Sequence, residues 1–162
     1  MNKNVLAITN MGNLNNFLQV IGVLGVIGSL IFVGIELRQS QKIALARTQQ
    51  ERNNSAYNVI NTLTAANIDW QSIVLENNLD YQFSKELIAR RNTYHLSWFM
   101  FENDFFQYSQ GLVDESVWNA KLKAFERWYN TCDLRLLYKS RSKYMPAAFT
   151  ALIESFPDKC KK

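Results

Sequence analysis

From Asn4 to Ile35 the chain carries no charged residue, and from Phe17 to Ile35 it is apolar apart from Gln19, Ser29 and glycines. As a helix rising ~1.5 Å per residue, the apolar run spans roughly 28 Å, close to the hydrocarbon thickness of a bilayer. A soluble core helix of that length would keep a polar face, and this stretch has none. The run is also longer than the usual h-region of a signal peptide. It ends in Ile-Glu-Leu-Arg-Gln, where a leader would show a small-x-small cleavage site. The pattern predicts an uncleaved transmembrane helix.

Beyond the span the pattern changes. Residues 36–66 contain neither proline nor glycine and are rich in Gln, Ala, Arg and Leu, which predicts that the helix continues out of the bilayer. Its apolar face is thin: Leu45, Ala56, Ile60 and Leu63 align, with Gln49 and Arg52 interrupting. Such a helix is either a solvated stalk or one partner in a polar-seamed, coiled-coil-like bundle. A short segment with Trp70, Ile73, Val74 and Leu75 precedes an Asn-Asn turn. Ser84 then caps a helix to about Gln110, which Gly111 stops. Asp114 opens the next helix, with Trp118, Leu122, Phe125, Tyr129 and Cys132 on one face and a bend near Asn130 and Thr131. Pro146 suits the first turn of a last helix that turns Phe149, Leu152, Ile153 and Phe156 inward. No segment alternates as a strand. The expected fold is all-α, with an amino-terminal segment and transmembrane helix over 1–37, a juxtamembrane stalk over 38–66 and a small aromatic-rich bundle over 67–162.

Charge sets the expected orientation. Arg38, Lys42, Arg47 and Arg52 follow the span and Lys3 alone precedes it, so the positive-inside bias places the carboxyl-terminal side in the cytoplasm. Cys132 and Cys160 form neither a metal pattern nor a disulfide framework, and are read as reduced structural thiols in agreement with that placement. The net charge of +4 is mild and dispersed among acids, without the basic stripe and stacking aromatics of a nucleic-acid binder. Lys139, Arg141 and Lys143 are expected in a solvated loop, and Lys159, Lys161 and Lys162 in a solubilising tail. Within the span, Gly22, Gly25 and Ser29 share a narrow face with Gly28 at its edge. Small residues let helix backbones approach closely in lipid, although glycine is common in membrane helices in any case.

The exit from the membrane, Ser29 to Gln41 (SLIFVGIELRQSQ), resembles a widespread family of short, uncharacterised bacterial proteins. The stretch Gly111 to Trp118 (GLVDESVW) is similar to the same family. Its members have one amino-terminal span, a glutamine-rich helix and an aromatic-rich cytoplasmic helical domain. The resemblance implies that architecture, in a bacterial inner membrane with the amino terminus outside, and carries over no activity.

One constellation stands out. In the helix opened by Ser84, Leu87, Tyr94, Trp98, Phe101, Phe105 and Tyr108 form one apolar stripe, and Ile88, Phe99 and Phe106 form a second. Arg91, His95, Glu102 and Ser109 lie between them. Burying unpaired charge is costly, so Arg91, His95 and Glu102 need an explanation. They could be structural pairs completed by other helices, the lining of an aromatic-walled cavity for a small ligand or lipid, or a proton-transfer site. His95 is the only histidine, Glu-x-x-His pairs are missing, and no phosphate loop or nucleophile elbow occurs. The sequence therefore implies no cofactor, no metal and no catalytic residue. The leading expectation is a non-enzymatic membrane protein that acts by self-association or as a scaffold or adaptor, using aromatic surfaces in excess of what one small bundle needs. Its partners would be membrane lipid and a second copy or another membrane protein. A ligand-sensing module and a small oligomeric pore are the alternatives; the span offers little polar surface for a lumen.

Overall fold

The computed structural model describes the backbone of residues 3–161 and the side chains of residues 15–161. Lys162 and the Lys3 side chain used in the orientation argument lie outside the described residues. Among the described residues six helices follow in chain order: α1 (Lys3–Ala65), α2 (Trp70–Val74), α3 (Lys85–Ser109), α4 (Glu115–Tyr129), α5 (Arg135–Ser142) and α6 (Ala147–Glu154). A 3₁₀ turn, Cys132–Leu134, links α4 to α5 at the expected bend. No strand occurs among the described residues, and the fold is all-α.

The helix ends follow from local chemistry. Ser84 caps α3 by accepting from the Leu87 N–H at 3.2 Å. At its far end Gly111 has φ +71°, the Leu112 N–H reaches the Gln107 carbonyl at 3.0 Å, and the Gly111 N–H reaches that of Tyr108 at 2.8 Å. This is a Schellman stop that needs a left-handed residue. α1 ends in the same way on Asn67, at φ +58°, with the Ile68 N–H bonded to the Leu63 carbonyl at 2.8 Å. Asp114 occupies the cap position of α4 with extended backbone but makes no side-chain cap bond, and Pro146 stands just before α6.

Two compact units divide inside the expected stalk, between Ala44 and Leu45. The first is the amino-terminal part of α1. From Phe17 to Leu37 its large apolar side chains are all exposed, and the helix is long and apolar enough to cross a membrane. The carboxyl-terminal part of α1 belongs to the second unit, as a polar seam along α3. Ala46, Asn53 and Ile60 are buried at heptad spacing. Gln107 donates to the Ala46 carbonyl at 3.2 Å, Asn103 to Gln50 Oε1 at 2.8 Å, and Asn92 to Thr64 Oγ1 at 2.8 Å. Partners that descend α1 as they ascend α3 make the pairing antiparallel.

The other face of α3 builds the core. Trp98 is wholly buried between Tyr94, Phe101, Tyr138 and Phe149, with ring centroids 5.0 to 6.3 Å away. Trp118, Phe125 and Tyr129 from α4 and Leu137, Tyr138, Phe149 and Ile153 from α5 and α6 complete the cluster. The aromatic content is thus largely consumed within this unit, where Tyr144 is the aromatic left mostly exposed. The expected excess of aromatic surface does not exist.

The structure also corrects the reading of the cysteines. Cys132 and Cys160 form a disulfide, with their Cα atoms 5.3 Å apart. Their separation of 28 residues gives no sign of this, because the return of the chain through α5 and α6 brings them together. The support they lent to a cytoplasmic placement falls away. The tail is pinned as well: Lys159 pairs with Glu126 at 2.9 Å, and its N–H donates to Asn130 Oδ1 at 2.8 Å.

Two stability outcomes follow. Trp98→Ala should lower the unfolding free energy by about 3–5 kcal/mol, because the site is enclosed on all sides. Reducing the disulfide should cost about 3–4 kcal/mol by the loop-closure relation. Urea titration of the full chain in detergent, followed by tryptophan fluorescence, checks both.

Candidate functional site

The three polar residues of α3 receive different partners. Arg91 forms a two-pronged ion pair with Asp69, Nε to Oδ1 at 2.7 Å and Nη2 to Oδ2 at 3.0 Å. Asp69 is fully buried and also caps α2, accepting from the Ser72 N–H at 2.9 Å and its hydroxyl at 2.7 Å. Burial pushes the Asp69 carboxyl up, but the bonds from Arg91 and Ser72 outweigh it and hold the group below its ordinary range. The Arg91 guanidinium also lies 4.4 Å from the centre of the Phe83 ring.

Glu102 pairs with Arg141 of α5 at 2.6 Å. Arg141 is only 4% exposed, so the expectation that it belongs to a solvated loop is wrong. Arg135, Tyr138 and Arg141 recur every three residues along one buried side of α5, which turns the arginine inward while Lys139 and Lys143 stay exposed. Its guanidinium lies 3.6 Å from the centre of the Phe99 ring. Desolvation raises the Glu102 carboxyl despite the opposing pull of Arg141. Ser109, at the end of the row, is exposed and bonds to the Phe106 carbonyl of its own helix.

His95 sits between these pairs, with none of its surface exposed. Its ring lies 4.6 Å from that of Trp70, and neither ring nitrogen has a hydrogen-bond partner. Burial, with Arg141 and Arg91 adding to it and Asp69 opposing, lowers its pKa to about 3, so the imidazole is neutral. An enclosed neutral ring without a proton partner is not set up for acid–base chemistry.

Of the three residues, Glu102 borders a cavity of about 280 Å3, lined with Gln49, Arg52, Asn53 and Phe99. Neither Arg91 nor His95 lines it. Its guanidinium, carboxylate and carboxamides beside one aromatic face could hold a small polar molecule. Among the described residues no cluster of three or more His, Cys, Asp or Glu side chains could hold a metal ion.

Asp69, Asn92 and Arg141 belong to this constellation without standing among the residues that the helical pattern marked. Asn92 is fully buried; its Oδ1 accepts from the Trp70 N–H at 2.9 Å, and its Nδ2 donates to the Ile68 carbonyl at 2.9 Å. Asp69 had a legible signal, since an Asp directly before an amphipathic Trp-Gln-Ser-Ile-Val is a helix cap. No protein-family model matches the chain, and neither does any curated protein or solved structure.

Two outcomes test this geometry. Asp69→Ala leaves the Arg91 charge without its partner and should destabilise the fold by about 3–5 kcal/mol. For His95, the folded pKa lies below the ordinary 6.5, so its contribution is complete above pH 6.5 and is lost as pH falls toward 3. Asp69 acts in the same direction in acid, and Glu102, with its raised carboxyl, opposes. His95→Phe should therefore lose about 2 kcal/mol less than the parent between pH 6.5 and pH 5. Urea titrations at both pH values give the difference, and equal losses would show that His95 does not titrate as placed.

Proposed function

We propose that this chain is a membrane-anchored, non-enzymatic helical protein that acts by association, as a self-associating scaffold or as an adaptor in a membrane assembly. The supporting observation is the exposure of every large apolar side chain from Phe17 to Leu37 on α1, which water would not tolerate as a free surface. A bilayer accepts such a helix, because its backbone polar groups are bonded internally. The anchor belongs in a bacterial inner membrane, in keeping with the family resemblance. The basic residues after the span favour the amino terminus outside and the helical bundle on the cytoplasmic face.

The association surface is the small-residue face of the span. A side-chain carbon added at Gly22, Gly25 or Gly28 would meet no atom within 4 Å. The Ser29 hydroxyl donates to the Gly25 carbonyl at 2.8 Å, so this face presents no unsatisfied polar group to lipid. Two such faces can approach closely and gain packing that lipid tails do not supply. The bundle's aromatics are spent on its own core, so association rests on the span.

The full-length chain should remain with bacterial membranes after alkaline carbonate extraction and yield a cross-linked dimer or larger species in mild detergent. Replacing both Gly22 and Gly25 by Leu should reduce the cross-linked fraction about tenfold without loss of helicity, equivalent to about 1.4 kcal/mol of helix–helix packing. Recovery of the chain in the aqueous fraction without detergent would overturn the anchor. A strictly monomeric parent that co-purifies with no partner would overturn association.

A further inference from the structure

The two sulfurs of the disulfide differ in exposure and in their contact with a guanidinium. Cys160 lies between Lys159 and Lys161, and its Sγ accepts a hydrogen bond from Nη2 of Arg135 at 3.3 Å. Arg135 is 7% exposed, stacks over the Tyr129 ring with 3.7 Å to its centre, and pairs with Asp158 at 3.1 Å. Cys132 is exposed and its neighbour Asp133 is paired with Arg90, whereas Cys160 is partly buried against Arg135. A guanidinium in hydrogen-bond contact with a sulfur stabilises its thiolate over its thiol.

We propose that Cys132–Cys160 is a thiol–disulfide exchange site, at which an external thiolate attacks Sγ of the exposed Cys132 and Cys160 departs as a thiolate held by Arg135. One S–S bond forms between the incoming sulfur and Cys132. The Cys132–Cys160 bond breaks, and its electron pair goes to Sγ of Cys160 with no proton transferred. A second external thiolate then attacks the incoming sulfur, releasing an external disulfide and leaving Cys132 to take a proton from water. The two external thiols are oxidised by two electrons in total, and the protein disulfide is reduced by the same two. A stabilised leaving thiolate departs faster, which fixes the direction of attack.

The rest of the tail makes the exchange reversible. Asn130 donates to the Pro157 carbonyl at 3.1 Å, Lys159 keeps its contacts to Asn130 and Glu126, and Asp158 keeps Arg135. None of these bonds depends on the disulfide, so Cys160 stays beside Cys132 after opening and can reclose on a mixed disulfide. The orientation proposed above enters only as the source of thiols, because disulfides on the cytoplasmic side are exchanged rather than permanent.

The test uses the full-length chain in detergent micelles with reduced glutathione as the external thiol, quenched with acid and mapped by mass spectrometry. The expected adduct is on Cys132. In the fully reduced chain, Cys160 should react with iodoacetamide at a pH about one unit below that required by Cys132. Arg135→Gln should erase that offset and Arg135→Lys should keep part of it. An adduct on Cys160, adducts divided equally between the two, or coincident alkylation profiles would overturn the proposal. Should either Arg135 variant fail to fold, the adduct position and the two alkylation profiles of the parent still decide. Since these readouts involve neither the membrane nor a partner, their failure leaves the association reading untouched.

Discussion

A charge withdrawn from water has to meet its counter-charge, and in this chain that requirement ties α3 to two distant segments. Arg91 draws in Asp69, which in turn caps α2, and Glu102 draws in Arg141 from α5. Buried pairs of this kind contribute little net stability, because the Coulomb gain mainly offsets desolvation. Their effect lies in what they forbid. Any arrangement that separates either pair strands a buried charge, so α2 and α5 each have one acceptable place against α3.

The packing follows the same division of α3 into faces. Tyr94, Trp98 and Phe101 point to α4, α5 and α6, where rings meet rings mostly at edge or tilted angles, while Tyr94 stacks on Trp128 and donates its hydroxyl to the Trp128 carbonyl at 3.3 Å. Asn92, Asn103 and Gln107 point to the end of α1, where each carboxamide finds a hydrogen bond. One helix thus joins an apolar core to a polar seam. The seam gives the lower part of α1 a partner that its thin apolar face could not have secured alone. His95 lies where the two environments meet and remains neutral because burial, reinforced by the charges of Arg141 and Arg91, disfavours its protonated form.

The carboxyl-terminal tail depends on Arg135 as the bundle depends on α3. The guanidinium stacks on Tyr129, pairs with Asp158 and touches the Cys160 sulfur, so one buried cation organises the closure of the chain on itself. The contacts of Asn130 with the backbone at Pro157 and Lys159 reinforce that closure. A tail with three lysines near its end is held by geometry that its charge does not suggest.

Residue order by itself determined the elements. The uncharged run, Ser84, Gly111 and the apolar periodicity of α3 and α4 fix helix type and limits, because capping and 3.6-residue spacing act over a few neighbours. It also marked Arg91, His95 and Glu102 as needing an explanation. Only the tertiary structure decided what answered them: Asp69 for Arg91, Arg141 for Glu102 and the rings of Trp70 and Tyr94 for His95. The same holds for the Cys132–Cys160 bond, for Lys159 and for the use of the aromatics in the core. These outcomes turn on which helices meet across long separations in the chain, and local spacing carries no information about that. A charge such as that of Arg141 reads as solvated until the fold turns its side of α5 inward.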